Sequence, residues 1–111
     1  MREFFPRLAD GYSRTVIAWY EALGLGVTGG EVHAACEEAR ERSLFSFSLN
    51  PGHQVQLDEW VHSPFDEGST VALRSGMALQ CDIMPVSLGP CCYAIVEDGV
   101  ALADEGLREE I

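Results

Sequence analysis

The chain has 111 residues, which is the size of one domain and excludes two catalytic domains. Hydrophobic residues make up 47% of it and charged residues 23%, a balance typical of globular rather than disordered proteins. Its 7 basic and 18 acidic residues give a formal net charge of −11. Because such a surface repels phosphate backbones and anionic lipids, we expect neither nucleic-acid binding nor membrane-surface binding.

The lack of a recognisable targeting signal and the spacing of the cysteines both favour a cytoplasmic protein. The sequence contains no run near the ~20 apolar residues of a membrane span, and charges and a proline interrupt its start before a signal-peptide core can form. The cysteines lack Cys-x-x-Cys spacing, and an adjacent pair is a poor disulfide. We therefore expect buried, reduced thiols at Cys36, Cys81, Cys91 and Cys92.

The amino-terminal segment is compatible with two structures. The Asp-Gly pair at residues 10–11 predicts a turn, and the β-branched and aromatic residues at 12–18 then predict the second strand of a hairpin. Apolar residues also recur at helical spacing over residues 15–23, with a glycine following as a stop signal. The sequence alone does not decide between a hairpin and a helix for this segment.

The middle of the chain has clearer signals. Thr28 and Glu31 have the spacing of a capping box, and the apolar stripe that follows predicts a helix over residues 31–42. Alternating apolar and polar residues predict strands at residues 44–49 and 53–58, separated by a Pro-Gly break. These elements belong to an α+β domain.

The last third of the chain is predicted to be mostly strand. A short strand is expected at residues 70–73, and strict alternation predicts a longer one at 77–84. Another is expected at 91–97, followed by a tight turn at the Asp-Gly pair 98–99 that leads into residues 100–103. The acidic end is expected to be a short helix or a frayed tail.

Three residues on or beside these predicted strands are candidate metal ligands, namely His53, Asp82 and Glu97. Imidazole and carboxylate groups bind divalent metal ions, and neighbouring strands can direct several side chains at one point. The sequence therefore permits a metal site on one face of the sheet.

The segments that contain these residues resemble, in order, the last three motifs of the creatinase, Xaa-Pro aminopeptidase and methionine aminopeptidase family. They are residues 50–58 (NPGHQVQLD), 73–82 (LRSGMALQCD) and 95–102 (IVEDGVAL). Residues 11–16 (GYSRTV) resemble the family's Arg-Thr strand, and residues 26–32 (GVTGGEV) resemble its Gly-x-Thr-x-x-Glu helix entry. The family has the pita-bread fold. The resemblance therefore implies a single domain, here the carboxyl-terminal half of a pita-bread domain, with a curved antiparallel sheet and one or two helices.

The resemblance also implies roles for the three candidate ligands. His53 corresponds to the family's metal-binding histidine, Asp82 to its first metal-binding glutamate and Glu97 to its last, metal-bridging glutamate. In that family two divalent cations, for which Mn, Co or Zn are the candidates here, polarise the scissile carbonyl and activate water. The implied substrate is a peptide or a small amide.

Several positions depart from the family pattern. Asp82 replaces a glutamate that is one methylene longer, and the positions of two other family histidines hold Leu49 and Trp60. His62, two residues after Trp60, would point to the same side of a continuing strand and is the candidate catalytic histidine. The family's two aspartate ligands lie upstream, and Asp10 is one residue out of register with the second. We therefore expect this chain alone to bind a divalent metal weakly or not at all.

Two functional hypotheses follow. The first is a metal-dependent amide or peptide hydrolase of the aminopeptidase type, completed by a missing or partner-supplied half. The alternative is a catalytically inactive relative, or an unrelated acidic α+β interaction module, that acts through oligomerisation. A half-fold leaves strand edges and aromatic side chains uncovered, so we expect a homo-oligomer, most simply a symmetric dimer. Its interface should include one of three aromatic elements: Phe4-Phe5, the Phe45/Phe47 strand or Trp60.

Overall fold

The chain is organised as an α+β domain, as predicted. The computed structural model describes residues 3–40, 42, 44–55, 57, 62–87 and 95–111. Within these residues, in chain order, the elements are α1 (Phe4–Ala22), α2 (Gly29–Ala39), β1 (Phe45–Phe47), β2 (His53–Gln54), β3 (Ala78–Asp82), β4 (Pro85–Ser87), β5 (Glu97–Ala101) and α3 (Glu105–Glu110).

The amino-terminal segment is a helix, so the predicted hairpin is wrong. The side chains that α1 buries recur every three or four residues: Leu8, Tyr12, Thr15 and Trp19. Burial of this continuous stripe outweighs the β preference of the individual residues and the turn preference of the Asp-Gly pair. The helical alternative was right in type, but the helix begins at Phe4 and therefore includes the segment that resembles the family's Arg-Thr strand.

The predicted capping box begins the second helix. The Glu31 backbone N–H donates to the Thr28 hydroxyl at 3.2 Å, and the Thr28 N–H donates to the Glu31 carboxylate at 2.7 Å. The helix ends at Ala39, before the predicted end at Arg42. Its buried side packs on α1, where the Cys36 thiol lies 3.9 Å from the Thr15 carbonyl oxygen.

The described strands form two small antiparallel sheets in place of the single curved sheet that we expected. One pairs β1 with β4, and the other has the order β2-β3-β5. The alternation at residues 77–84 correctly predicted β3, whereas β4 was not predicted. The strand predicted at residues 70–73 is reduced to an isolated bridge between Thr28 and Ala72.

The tight turn predicted at Asp98 and Gly99 is wrong, because both residues lie inside β5. A ladder of five residue pairs joins β5 to β3 and continues through the dipeptide. Most of the strand predicted at residues 91–97 lies outside the described residues, and β5 begins at Glu97. The helical alternative for the carboxyl end is confirmed by α3, whose first turn is capped by Asp104.

The core lies between the two long helices and the sheets. Trp19 from α1 packs against Phe65 with ring centroids 5.4 Å apart, and both side chains are fully buried. Leu79 and Cys81, on alternate positions of β3, are also buried in this core. No helix in the described part of the chain is long and apolar enough to cross a membrane.

Candidate functional site

The backbone before His53 allows β2 and β3 to approach closely. Gly52 has φ of +125°, a conformation that side-chain-bearing residues rarely adopt. A Cβ at this position would lie 2.5 Å from the Gln80 carbonyl oxygen. The Ser63 hydroxyl donates to the Gly52 carbonyl at 2.8 Å and fixes it from the other side. The glycine is therefore required by both conformation and space, and it sets the position of the residue that follows.

His53 and Asp82 form a buried pair. His53 lies opposite Gln80 in the β2-β3 ladder, and Asp82 lies two residues farther along β3, so both side chains are on the same face of the sheet. The His53 Nε2 and Asp82 Oδ2 atoms are 3.5 Å apart. The two residues are only 1% and 2% exposed. Of the three candidate ligands that we expected to approach one another, His53 and Asp82 are in contact.

The other ring nitrogen of His53 makes a contact that bears on the tautomer of the ring. Nδ1 lies 3.1 Å from the carbonyl oxygen of Gln54. Since a carbonyl oxygen only accepts hydrogen bonds, this contact is a hydrogen bond when Nδ1 carries the proton. In the neutral ring, that tautomer directs the Nε2 lone pair toward the Asp82 carboxylate. Such an arrangement brings a nitrogen lone pair and a carboxylate oxygen together, and these are donor atoms that a cation would bind.

Glu97 is an exposed neighbour of this pair. It is the direct partner of Asp82 in the β3-β5 ladder, so the two acids share a sheet face. Unlike Asp82, its side chain is exposed, and its Oε2 accepts a hydrogen bond from Gln80 Nε2 at 3.0 Å. Gln80 thus lies between the histidine on one neighbouring strand and the glutamate on the other.

The donor set partly fits a divalent cation. With metal–ligand bonds of about 2.0–2.2 Å, two ligands of one tetrahedral ion lie about 3.4 Å apart, close to the separation in the His53–Asp82 pair. No group of three or more His, Cys, Asp or Glu side chains suited to hold a metal occurs among the residues that the structure describes. His53 and Asp82 could therefore serve as two ligands, and Glu97 would have to turn toward them to become a third.

The remaining predicted positions lie away from the pair. The side chain of His62 is exposed, and its backbone carbonyl accepts a hydrogen bond from the Gln54 N–H at 2.9 Å, beside the strand that carries His53. Asp10 is on the exposed side of α1, where it pairs with Arg14 at 3.2 Å and is thus not directed at the site. Trp60 lies outside the described residues.

The two described cysteines are inert by environment. Cys36 and Cys81 are buried free thiols, as the sequence predicted, while Cys91 and Cys92 lie outside the described residues. Burial raises the pKa of Cys36 to about 12 and likewise that of Cys81 to about 12. Because the thiolate is the form that binds metals and attacks electrophiles, neither thiol is suited to that chemistry at neutral pH.

A large surface cavity lies elsewhere. It has a volume of about 720 Å³ and lies between α2, β1 and residues 67–68. Its lining includes His33, Arg40 and Phe47 but none of the three candidate ligands. This cavity therefore does not open onto the buried pair.

Sequence reasoning did not single out two residues that shape the site. Gln80 could have been found from strand alternation alone, because it lies two positions before Asp82 and so shares its face. Tyr12 had no such signal. Its hydroxyl donates to the Ile83 carbonyl at 2.8 Å and accepts from the Val96 N–H at 3.0 Å, contacts more than 70 residues away in sequence.

Comparison with protein-family models, with curated proteins and with solved structures finds no match to this chain.

Proposed function

We propose that the chain is a degenerate relative of the creatinase and aminopeptidase family whose residues His53 and Asp82 hold one divalent metal ion. The observation that carries the proposal is the buried pair, with Nε2 and Oδ2 separated by 3.5 Å on one sheet face. Partial agreement with the pita-bread pattern, in which the ligands lie on neighbouring antiparallel strands, supports it further. The implied reaction is metal-dependent hydrolysis of a peptide or small amide.

In this proposal each residue has a separate task. His53 and Asp82 bind the ion, and the Gln54 carbonyl fixes the imidazole so that Nε2 is the ligating atom. Gln80 orients the Glu97 carboxylate through its 3.0 Å hydrogen bond, at the exposed end of the site where a substrate can enter. His62, at the surface beside β2, is available to move a proton. The bound cation would polarise the scissile carbonyl and lower the pKa of bound water.

Turnover would require ligands beyond these three. The family pattern contains two aspartates upstream of the motifs found here, and Asp10 does not replace the second because it pairs with Arg14 on the surface of a helix. We therefore propose hydrolysis only when another chain segment or partner supplies the missing carboxylates. For this chain alone we expect a single weak site and no dinuclear centre, because few charged ligands surround the ion.

Calorimetric titration with Mn²⁺ or Co²⁺ tests the proposal. We expect one weak site per chain, abolished in His53→Ala and weakened in Glu97→Gln, whose exposed side chain can change without disturbing the core. His33→Ala is the matched control, since it removes an imidazole from α2, where the ring lies edge-on to Phe47. Two tight sites per chain would contradict the proposal, as would binding that survives in His53→Ala.

A second candidate, an interaction module that acts as a homodimer, is favoured by a different observation. An apolar cleft of about 200 Å³ lies between α1, Pro85 and Val96, and Phe5 at its border is 49% exposed. Of the aromatic elements expected in an interface, Phe45 is instead part of the core, because it is completely buried. This candidate needs no metal, so association that is unchanged by a chelator would separate it from the first.

A further inference from the structure

Tyr12 lies where the ladder between β3 and β5 stops. The last pair of that ladder is Asp82 with Glu97, so the next pair in register would be Ile83 with Val96. Those two residues lie outside the strands. Between them lies the Tyr12 hydroxyl, which donates to the Ile83 carbonyl at 2.8 Å and accepts from the Val96 N–H at 3.0 Å. A side-chain oxygen from α1 thus takes the place of one backbone rung.

This insertion affects the two acids directly. Ile83 follows Asp82 and Val96 precedes Glu97, so the hydroxyl holds the backbone immediately beside both carboxylates. Two strands bridged by an oxygen atom are farther apart than two strands joined by a direct N–H to C=O bond, because the bridge adds a second hydrogen bond to the span. The hydroxyl therefore fixes how far the strands separate at the point where the acids leave them.

The surroundings of Tyr12 make the bridge rigid. The residue is buried, and its ring packs against Phe45 with centroids 6.3 Å apart. Burial raises the pKa of the Tyr12 hydroxyl, so it keeps the proton that it donates. The Val96 carbonyl oxygen is a second and more distant acceptor for this proton, at 3.3 Å.

We propose that Tyr12 is a positioning residue that sets the separation of Asp82 and Glu97 and thereby the metal affinity of the site. The inference depends on the proposed metal site, to which it adds a residue that does not touch the metal. Residues that orient metal ligands from outside the coordination shell typically contribute 10–100-fold to metal affinity. Tyr12→Phe should weaken Mn²⁺ or Co²⁺ binding by a factor in this range, since the ring and its packing stay while the hydroxyl is lost.

The matched control is Thr15→Val. It removes a buried hydroxyl from the same helix, but that hydroxyl donates only within α1, to the Gly11 carbonyl at 2.8 Å. Tyr12→Phe loses the hydrogen bonds to Ile83 and from Val96, and Thr15→Val loses the one to Gly11, so both variants lose stability, yet only Tyr12→Phe should alter the site. We expect weaker metal binding, a changed visible spectrum of bound Co²⁺ and faster hydrogen exchange at the Val96 amide in Tyr12→Phe, and none of these in Thr15→Val.

The outcomes separate the two proposals. If the native protein binds metal and Tyr12→Phe binds it equally well, the positioning role is overturned and the metal site stands. Equal weakening by Thr15→Val would also overturn it, since the effect would then follow from stability alone. If the native protein binds neither Mn²⁺ nor Co²⁺, the proposed function fails and the positioning role fails with it.

Discussion

Replacing Gly52 by alanine should destabilise the protein far more than the same change at Gly68. Both glycines have positive φ, +125° and +72° respectively. They differ in space, because a Cβ at Gly52 would lie 2.5 Å from the Gln80 carbonyl oxygen whereas a Cβ at Gly68 would meet nothing within 4 Å. The pair of variants therefore separates backbone strain from steric overlap.

The expected magnitudes follow from these two differences. At Gly68 only the left-handed conformation is penalised, at about 1–2 kcal/mol. At Gly52 the conformation costs about 1–3 kcal/mol, and moving β2 away from β3 to relieve the overlap costs a similar amount again. We expect a loss of about 4 kcal/mol for Gly52→Ala, a large part of the 6–17 kcal/mol expected, roughly, for a chain of 111 residues.

Urea and thermal unfolding followed by circular dichroism measure both values. With a shift of roughly 4 °C per kcal/mol for a domain of this size, Gly52→Ala should unfold about 15 °C below the native protein and Gly68→Ala about 5 °C below it. Because Gly52 precedes His53, the first variant should also displace the imidazole from Asp82. Equal losses at the two positions would refute the close approach of β2 and β3 on which the site depends.

Two further predictions concern the first turn of α2 and the association of the chain. Hydrogen bonds from the Thr28 backbone and hydroxyl lower the pKa of Glu31 from its ordinary value of 4.5, so its contribution to stability is present above that pH and is lost as the pH falls below it. The stability difference between the native protein and Glu31→Gln, measured by urea unfolding, should therefore be larger at pH 7 than at pH 3. An equal difference at the two pH values would contradict this role of the Glu31 carboxylate. Sedimentation equilibrium should detect a homodimer, and Phe5→Glu should disrupt it. Leu25→Glu is the control, because it places a charge at a similarly exposed position and should leave the dimer intact. A native protein that is monomeric throughout would remove the second candidate function.

Local patterns predicted those elements in which one signal dominated. The capping box at Thr28 and Glu31 satisfies backbone N–H groups within four residues, so it determines a helix start without tertiary contacts. The period-two alternation of β3 likewise follows from strand geometry, because β3 is the central strand of its sheet and pairs with β2 on one side and β5 on the other. Both predictions were confirmed because the deciding residues lie within the element itself.

The elements that the sequence predicted wrongly are determined by contacts with residues far away in the chain. Residues 12–18 have strand-like composition, yet they are helical because Tyr12, Thr15 and Trp19 lie along one buried stripe that packs on the rest of the core. Asp98 and Gly99 have a turn signature, yet β3 extends past them and pairs with both. No window of the sequence contains the residue at the other end of these contacts, so local propensity could not decide them.

The same distinction applies to the site. Alternation and the family resemblance together predicted that His53 and Asp82 would meet, and they are 3.5 Å apart. The hydrogen bonds of the Tyr12 hydroxyl could not be predicted from the sequence, because they join a helix to strand ends more than 70 residues later. Side chains on adjacent strands can be inferred from register, whereas a side chain from another layer can be located only in the folded structure.

Burial of the His53–Asp82 pair bears on whether a metal ion bound there would act in hydrolysis or in stability. A hydrolytic site must expose its metal to the substrate, but these two residues are 1% and 2% exposed. Glu97 is the exposed member, so a substrate could reach only the edge of the site unless the strands separate near Asp82. A metal held by the pair alone would therefore stabilise the sheet more readily than it would support turnover. Metal that raises the unfolding temperature while peptide and amide substrates remain intact would indicate this structural role, whereas hydrolysis lost in both His53→Ala and His62→Ala would indicate that the family's reaction persists.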